Sequence, residues 1–266
     1  MIALSALPAV GLEEISERAG RMTRVDRKYL VPRTTAHRLL DGLADRVRVL
    51  TISGCHTFRY RSTYYDTADL SAFQAAATAR RRRSKVRSRE YLDTGTAFLE
   101  VKTPTGRGES SKQRIPLSPG AAGGPMDEAS VAFVAHTLAS AGIPVPTMPL
   151  TPVLTTRYDR STLLIQDEDS RLTIDAGLLW SIPGTNQPVG NRRHAAEFPS
   201  TSRALNGLVI LETKAGTRPC TADRLLWAAG HRPVRLSKYA TGLALLDPRL
   251  PHNRWHRTLQ ALRTAT

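Results

Sequence analysis

The stretch Lys85-Val86-Arg87-Ser88-Arg89-Glu90-Tyr91 decides the fold of this chain, because large charged side chains alternate along it with smaller or apolar ones. In a β-strand, side chains two residues apart share a face, so Lys85, Arg87, Arg89 and Tyr91 lie together. An ordinary surface strand would also turn such a face toward water. One stretch alone therefore leaves open whether this charged face is solvated or lines a site.

The same alternation recurs in four other parts of the chain and involves most of its lysines. The charged residues that share a face are Asp26 with Lys28, Glu100 with Lys102, Lys112 with Arg114, and Glu212 with Lys214. Lysine and arginine together number 38, but only six of them are lysines. Because lysine is a compact point charge and arginine a planar fork, the two are not interchangeable at a close-fitting site. We infer that the lysines occupy specific positions.

The coarse pattern predicts many strands and few helices. Strands are predicted over residues 24–31, 57–66, 82–92, 96–104, 111–117, 151–159, 162–167, 171–178 and 207–214, and helices over 34–49, 68–79, 127–141 and 221–229. Helices need an apolar sheet face to pack on, so the apolar strand faces are expected outside and the charged faces inside. The expected fold is α+β: a closed antiparallel β-barrel of about eight strands that forms a cation-lined tunnel, with flanking α-helices.

Composition narrows the classes of partner and compartment. The formal net charge of +15 favours a polyanion such as a phosphate chain, a nucleic acid or an acidic membrane surface. Nucleic acid is not expected, because aromatic residues make up only 6% and no helix-turn-helix or zinc spacing is present. Cys55 and Cys220 have no metal or redox spacing, and no apolar stretch reaches the roughly 20 residues of a membrane span. We expect a cytoplasmic protein, with peripheral attachment at the inner face of the membrane as an option.

Seven segments, taken together, carry a resemblance to a known family. They are Asp26-Arg27-Lys28-Tyr29, Ser62-Thr63-Tyr64-Tyr65-Asp66-Thr67, Lys85-Val86-Arg87-Ser88-Arg89-Glu90-Tyr91, Leu99-Glu100-Val101-Lys102, Ser111-Lys112-Gln113-Arg114, Leu211-Glu212-Thr213-Lys214 and Leu236-Ser237-Lys238-Tyr239. They resemble the polyphosphate polymerase domain of the vacuolar transporter chaperone (VTC) family, within the CYTH-like triphosphate tunnel metalloenzymes. We therefore expect a flexible segment over residues 1–20, a tunnel domain over 21–247 and a basic helix or tail over 248–266.

The resemblance implies an enzyme that transfers the γ-phosphoryl group of ATP to a growing inorganic polyphosphate chain. The implied catalytic cations are Lys28, Arg87, Arg89, Lys102, Lys112, Arg160, Arg171 and Lys238. Further substrate contacts are expected from Lys85, Arg83, Glu100, Arg114, Lys214 and Arg235, and Glu212 is the implied ligand of Mn²⁺ or Mg²⁺. Arg157 rivals Arg160, and the residue among 80–83 that lines the tunnel stays open. Besides ATP and polyphosphate, a separate membrane protein is a candidate partner.

Two other functions remain open at this point. One is hydrolysis of a triphosphate in the same tunnel, whose enzymes resemble one another in an opening Glu-x-Glu-x-Lys strand. Here the strand is Arg24-Val25-Asp26-Arg27-Lys28, with arginine in place of the first acid. Fewer inward carboxylates favour a phosphate nucleophile over an activated water. The other is a polyphosphate sensor without catalysis, for which the arginine run at residues 80–83 would supply a basic patch.

Overall fold

The computed structural model of the protein describes residues 3–20, 25–105, 110–183 and 201–265. Its strands are β1 (Ala9–Val10), β2 (Val25–Pro32), β3 (Val47–Leu50), β4 (Phe58–Asp66), β5 (Lys85–Tyr91), β6 (Thr96–Pro104), β7 (Ser110–Pro116), β8 (Thr151–Ile165), β9 (Ser170–Ser181), β10 (Ser202–Ala204) and β11 (Leu208–Ala215). Its α-helices are α1 (Leu12–Gly20), α2 (Arg33–Leu43), α3 (Ser71–Ala77), α4 (Glu128–Ser140), α5 (Thr221–Ala228), α6 (Ala240–Leu246) and α7 (His256–Arg263). All the strands belong to one sheet, and the fold is α+β as predicted.

Eight strands form the main path of the sheet, in the order β2-β11-β9-β8-β4-β5-β6-β7. Every pairing along this path is antiparallel. The short strands β1 and β3 pair in parallel and join the path through β8, and β10 pairs with β9. The path has the predicted number of strands. Its two ends, β2 and β7, do not pair in the described residues, so the predicted closure into a barrel is not confirmed.

The register of the ladders brings the charged faces of the strands together. Opposed residues in an antiparallel pair share a face. The opposed pairs that carry charge include Lys28 with Glu212, Arg171 with Lys214, Arg160 with Asp175, Arg87 with Glu100, and Lys102 with Lys112. The same face continues across β4, where Phe58 is opposite Arg160 and Tyr64 is opposite Arg87. The charged residues therefore line one face of the sheet.

This charged face is concave. Lys102 on β6 interacts electrostatically with Asp26 and Lys28 on β2, although five strands separate β6 from β2 along the path. Such an interaction requires the sheet to curve back on itself with its charged face inside. We refer to this surface as the concave face.

The opposite, convex face is largely apolar, and helices cover its apolar parts. Helices α2 and α5 pack on one cluster, to which Leu172 and Leu211 of the sheet contribute. Helix α4 packs on a second cluster, to which Val86 and Leu99 contribute. This arrangement follows from the alternation in the strands, because apolar residues such as Val86, Leu99, Val101 and Leu211 alternate with the charged ones.

Helices α6 and α7 pack on the apolar part of the concave face. Leu243 of α6, Leu259 of α7 and Trp255, which immediately precedes α7, share a cluster with Trp180 of β9. Gly242 is required at this contact, because a Cβ there would lie under 3.0 Å from the indole of Trp180. Helix α6 was not predicted from the sequence, because all seven of its residues are buried and the helix therefore has no amphipathic pattern.

Other element boundaries differ from the predictions for local reasons. The strands predicted over residues 151–159 and 162–167 are one strand, β8, with a register shift between Arg157 and Asp159. The helix predicted over 34–49 ends at Leu43, and β3 follows within four residues because Val47 and Val49 are buried in the core under α2. Helix α4 begins after Asp127, whose carboxylate accepts the backbone N–H of Ser130 at 2.8 Å.

The two ends of the described chain are helical. Residues 12–20 form α1, in which Arg18 pairs with Asp169 at 2.6 Å. Residues 256–263 form α7, whose Leu259 and Leu262 are buried. By length and hydropathy, none of the helices in the described parts of the chain reaches what a membrane span requires.

Candidate functional site

Glu100 on β6 is surrounded by three cations from neighbouring strands. Its Oε2 accepts hydrogen bonds from Arg87, with Nε at 2.8 Å and Nη2 at 2.6 Å, and lies 3.9 Å from Arg89 Nε. Its Oε1 accepts a hydrogen bond from Lys112 Nζ at 3.2 Å. Burial raises the pKa of Glu100, but the three cations outweigh burial and lower this pKa to about 2. Glu100 is therefore ionised and holds the three cations in place.

Asp175 on β9 has the same role for two further predicted residues. Arg160 donates two hydrogen bonds to its carboxylate, at 2.6 and 2.8 Å, and Lys238, two residues before α6, donates a third. Burial raises the pKa of Asp175, but Arg160 and Lys238 lower it to about 2. The rival Arg157 lies opposite Arg61, which pairs with Glu90 on the convex side. Arg160, and not Arg157, is therefore the arginine on the concave face.

Glu212, the implied metal ligand, lies between two lysines. Lys28 Nζ is 3.4 Å from its Oε2, and Lys214 Nζ pairs with its Oε1. Lys214 also lies 2.9 Å from Asp26 Oδ2, so the lysine joins two carboxylates. Burial raises the pKa of Glu212, but Lys28 and Lys214 lower it well below its ordinary value.

Lys85 and Lys102 differ from the other four lysines because neither forms an ion pair with a carboxylate of the described chain. Lys28, Lys112, Lys214 and Lys238 each form such a pair. Lys85 Nζ donates instead to the hydroxyl Oγ of Ser237 at 3.0 Å. Burial and the charges of neighbouring cations, including Arg87 and Lys102, hold the pKa of Lys85 well below its ordinary value. Burial also lowers the pKa of Lys102. An anion on the concave face would stabilise the charged form of both lysines.

A model of the VTC domain family matches residues 23–247. The chain belongs to the VTC domain family. Among solved structures, similar chains include a Hippeastrum protein that was proposed to be an adenylyl cyclase and is described as having a dominant triphosphatase activity. That protein is 13% identical, with 83% of this chain and 95% of that chain covered and a TM-score of 0.43. A protein of Pyrococcus horikoshii is 9% identical, with 78% and 88% covered and a TM-score of 0.37. No curated protein sequence matches the chain.

Aromatic rings line part of the concave face of this VTC domain. Lys238 Nζ lies 4.6 Å from the centre of the Tyr158 ring, and the Arg160 guanidinium lies 5.3 Å from it. Arg89 lies over Tyr60 and donates to the Tyr158 hydroxyl at 3.4 Å. Burial raises the pKa of Tyr158, but the three cations outweigh it, and the net shift is downward. The phenol therefore lies in a strongly positive potential.

Sequence analysis missed Tyr158, Asp175 and Ser237 as members of the site. A signal existed for Asp175, because it shares a strand face with the predicted Arg171. Ser237 lies next to the predicted Lys238, but only the structure reveals its contact with Lys85.

The other predicted residues lie at different depths. Arg171 is half-buried opposite Lys214, and the exposed Arg114 stacks on the ring of Phe98 at 4.5 Å. Arg83 and Arg235 lie outside the ion-pair network described above. Arg83 Nη1 donates to the carbonyl of Arg80 at 2.6 Å, and Arg235 is exposed.

Two buried carboxylates explain why tyrosines occur in the motifs of this VTC domain. Asp66 accepts the backbone N–H of Phe73 at 2.9 Å, which anchors α3, and it also accepts the hydroxyl of Tyr239. Asp223 on α5 accepts the hydroxyl of Tyr29 at 2.6 Å. These motif residues hold helices to the sheet, while their charged neighbours face the site.

Proposed function

We propose that this VTC domain is a metal-dependent polyphosphate polymerase, which transfers the γ-phosphoryl group of ATP to a growing inorganic polyphosphate chain. The observation that supports the proposal is the convergence of cations from seven strands and of Lys238, two residues before α6, on the concave face. These cations outnumber the carboxylates of Asp26, Glu100, Asp175 and Glu212 by more than two to one. A chain of phosphates would supply the missing negative charge. In this proposal the concave face is the wall of the phosphate tunnel.

The chemistry requires positioning and charge stabilisation more than covalent participation by the protein. A terminal phosphate oxygen of the chain forms a bond to the γ-phosphorus of ATP, the bond from that phosphorus to the β,γ-bridging oxygen breaks, and ADP leaves. The attacking oxygen is already ionised, so no general base is needed.

The ion pairs of the site would prepare its cations for this reaction. Glu100 and Asp175 fix the planes of Arg87 and Arg160, so these guanidinium groups need little reorganisation when charge develops on the transferred group. Lys85 and Lys102 can approach phosphate oxygens without first breaking an ion pair with a carboxylate of the described chain. Fixed arginines and available lysines thus have complementary roles.

A divalent metal fits this site in combination with substrate phosphates. In the described chain, no group of three or more His, Cys, Asp and Glu side chains is arranged to hold a metal ion. Glu212 and Asp26 offer two carboxylates near Lys214. Mg²⁺ in phosphoryl-transfer sites is commonly held by one or two carboxylates together with phosphate oxygens. When bound, Mn²⁺ or Mg²⁺ would polarise the transferred phosphoryl group.

The test is incubation of the purified protein with γ-labelled ATP and Mn²⁺, with products resolved on a polyacrylamide gel. We expect a ladder of labelled chains that is lost in Glu212→Gln, while polyphosphate binding persists. The double variant Arg87→Ala/Arg89→Ala should lose both turnover and binding, whereas Arg61→Ala, on the convex face, should retain both. Free phosphate without a ladder would indicate a triphosphate hydrolase, and binding without turnover a sensor. Normal binding by the double variant would refute the site.

A further inference from the structure

Three arginines lie together beside the concave face and have no carboxylate partner in the described chain. Arg83 precedes β5, Arg235 lies in the loop before α6, and Arg254 lies between α6 and α7. We refer to these three residues as the outer arginine patch. Burial, followed by the nearby charges of Arg83 and Arg235, lowers the pKa of Arg254. Like charges held this close favour a bound anion.

Hydrogen bonds and packing fix the C-terminal part of the patch on the domain. Arg254 Nη1 donates to the carbonyl of Ala76 in α3 at 3.2 Å, and Thr258 Oγ1 donates to the carbonyl of Arg235 at 3.1 Å. Trp255 packs on Phe73, with ring centres 6.0 Å apart. The segment that carries Arg254 is therefore docked on α3 and on the loop before α6.

The patch continues from the concave face along two stretches of chain. Arg83 lies two residues before Lys85, and Arg235 lies two residues before Ser237. Lys85 and Ser237 are hydrogen-bonded to each other on the concave face. Since an extended chain advances about 3.3 Å per residue, the backbones of Arg83 and Arg235 lie within roughly 7 Å of the backbones of Lys85 and Ser237, respectively. A linear polyanion can therefore reach both surfaces at once.

We propose that the outer arginine patch binds phosphate units of a polyphosphate chain that extend beyond the concave face. The ligand class rests on the proposed function. The proposal adds Arg254, which lies outside the residues 23–247 matched by the VTC family model, to the chain-binding surface. Guanidinium groups suit this role because their planar forks bind phosphate oxygens in pairs. Long chains should then bind more tightly than tripolyphosphate, which has only three phosphate units to share between the two surfaces.

Calorimetric titration of the full chain with tripolyphosphate and with long-chain polyphosphate, at several salt concentrations, tests this proposal. The double variant Arg235→Gln/Arg254→Gln should bind the long chain about tenfold more weakly, with a salt dependence reduced by about two counterions. Its affinity for tripolyphosphate should stay within about twofold of the wild type. The control Arg33→Gln/Arg38→Gln removes the same charge from α2 on the convex side and should leave the ratio of the two affinities unchanged.

Arg254 also contacts α3, so the single variant Arg235→Gln provides a check that is independent of folding, since its side chain is exposed. It should weaken long-chain binding by about threefold without a change in melting temperature. An equal loss of affinity for both ligands, or no loss of affinity for the long chain, would refute the role of the outer arginine patch. If the wild type binds tripolyphosphate as tightly as the long chain, the role of the patch is refuted but the proposed function is not. A wild type that binds neither would overturn the proposed function as well.

Discussion

Replacement of Glu100 by glutamine should destabilise the free protein strongly, and a phosphate polyanion should restore much of the loss. The Glu100 side chain is 2% exposed and compensates Arg87, Arg89 and Lys112. Removal of one partner from a buried ion pair costs about 3–5 kcal/mol, because the other charges stay buried and unpaired. Lys112 is 45% exposed and relaxes toward water, so we expect the lower limit, about 3 kcal/mol.

The pH dependence of this loss is set by the depressed pKa of Glu100. The pKa is lowered from 4.5 to about 2 in the folded protein. The ionised carboxylate therefore contributes stability that is fully present above the unfolded value and is lost as the pH falls toward about 2. The glutamine variant lacks this contribution at every pH. The difference in unfolding free energy between this variant and the wild type should be largest near pH 7 and should shrink between about pH 5 and pH 2.

Urea denaturation at pH 7, with and without tripolyphosphate, measures both effects. A ligand at a hundred times its Kd stabilises the folded state by about 2.7 kcal/mol, and Glu100→Gln should gain more because its site is more positive. The matched control is Glu90→Gln, whose partner Arg61 is 35% exposed on the convex face. Its free energy of unfolding should fall by less than about 1 kcal/mol, and the ligand should stabilise it no more than the wild type. Equal unfolding free energies for the two variants would refute the reasoning.

Three further predictions concern packing and protonation. In thermal melts, Gly242→Ala should lower stability by about 1–3 kcal/mol, because the added Cβ would overlap Trp180. The control Gly11→Ala should be nearly neutral, because a Cβ at Gly11 would meet nothing within 4 Å. In an ultraviolet titration, the phenol of Tyr158 should ionise below the ordinary pKa of tyrosine, and bound polyphosphate should raise its pKa. This low-pH step of the titration curve should disappear in Tyr158→Phe. An unchanged titration curve in that variant would contradict the assignment of the step to Tyr158. Because the pKa of Lys85 is depressed, binding of a polyanion should be accompanied by uptake of a proton, and the affinity should fall as the pH rises. Calorimetry in buffers of different ionisation enthalpy measures this proton uptake, which should be smaller in Lys85→Met.

The alternation of side chains predicted which residues share the concave face, because a strand fixes this pattern locally. Lys28, Glu212, Arg87 and Glu100 lie on the same side of the sheet for that reason. How the strands curve was not predictable, because curvature depends on irregularities such as the register shift beside Tyr64 in β4. Curvature decides which distant residues meet.

The contacts of α6 were unpredictable for a different reason. Its sequence is apolar on all sides, so its position depends entirely on what it packs against. That position brings Lys238 to Asp175 and Ser237 to Lys85. The sequence motif identified Lys238 as a cation of the site, but the carboxylate that holds it comes from a strand more than 60 residues earlier in the chain.

In the proposed function, the carboxylates of the concave face act as resident anions, and an incoming phosphate group would exchange with them. A single orthophosphate gains little by exchange, because Arg87 and Arg160 already have anionic partners in Glu100 and Asp175. A ligand of linked phosphates enters several exchanges at once, and after the first contact the others are intramolecular. Under the proposed function, the arrangement would discriminate by valence: it would bind a polymer of phosphates in preference to the monomeric anion, without a contact that recognises chain length as such.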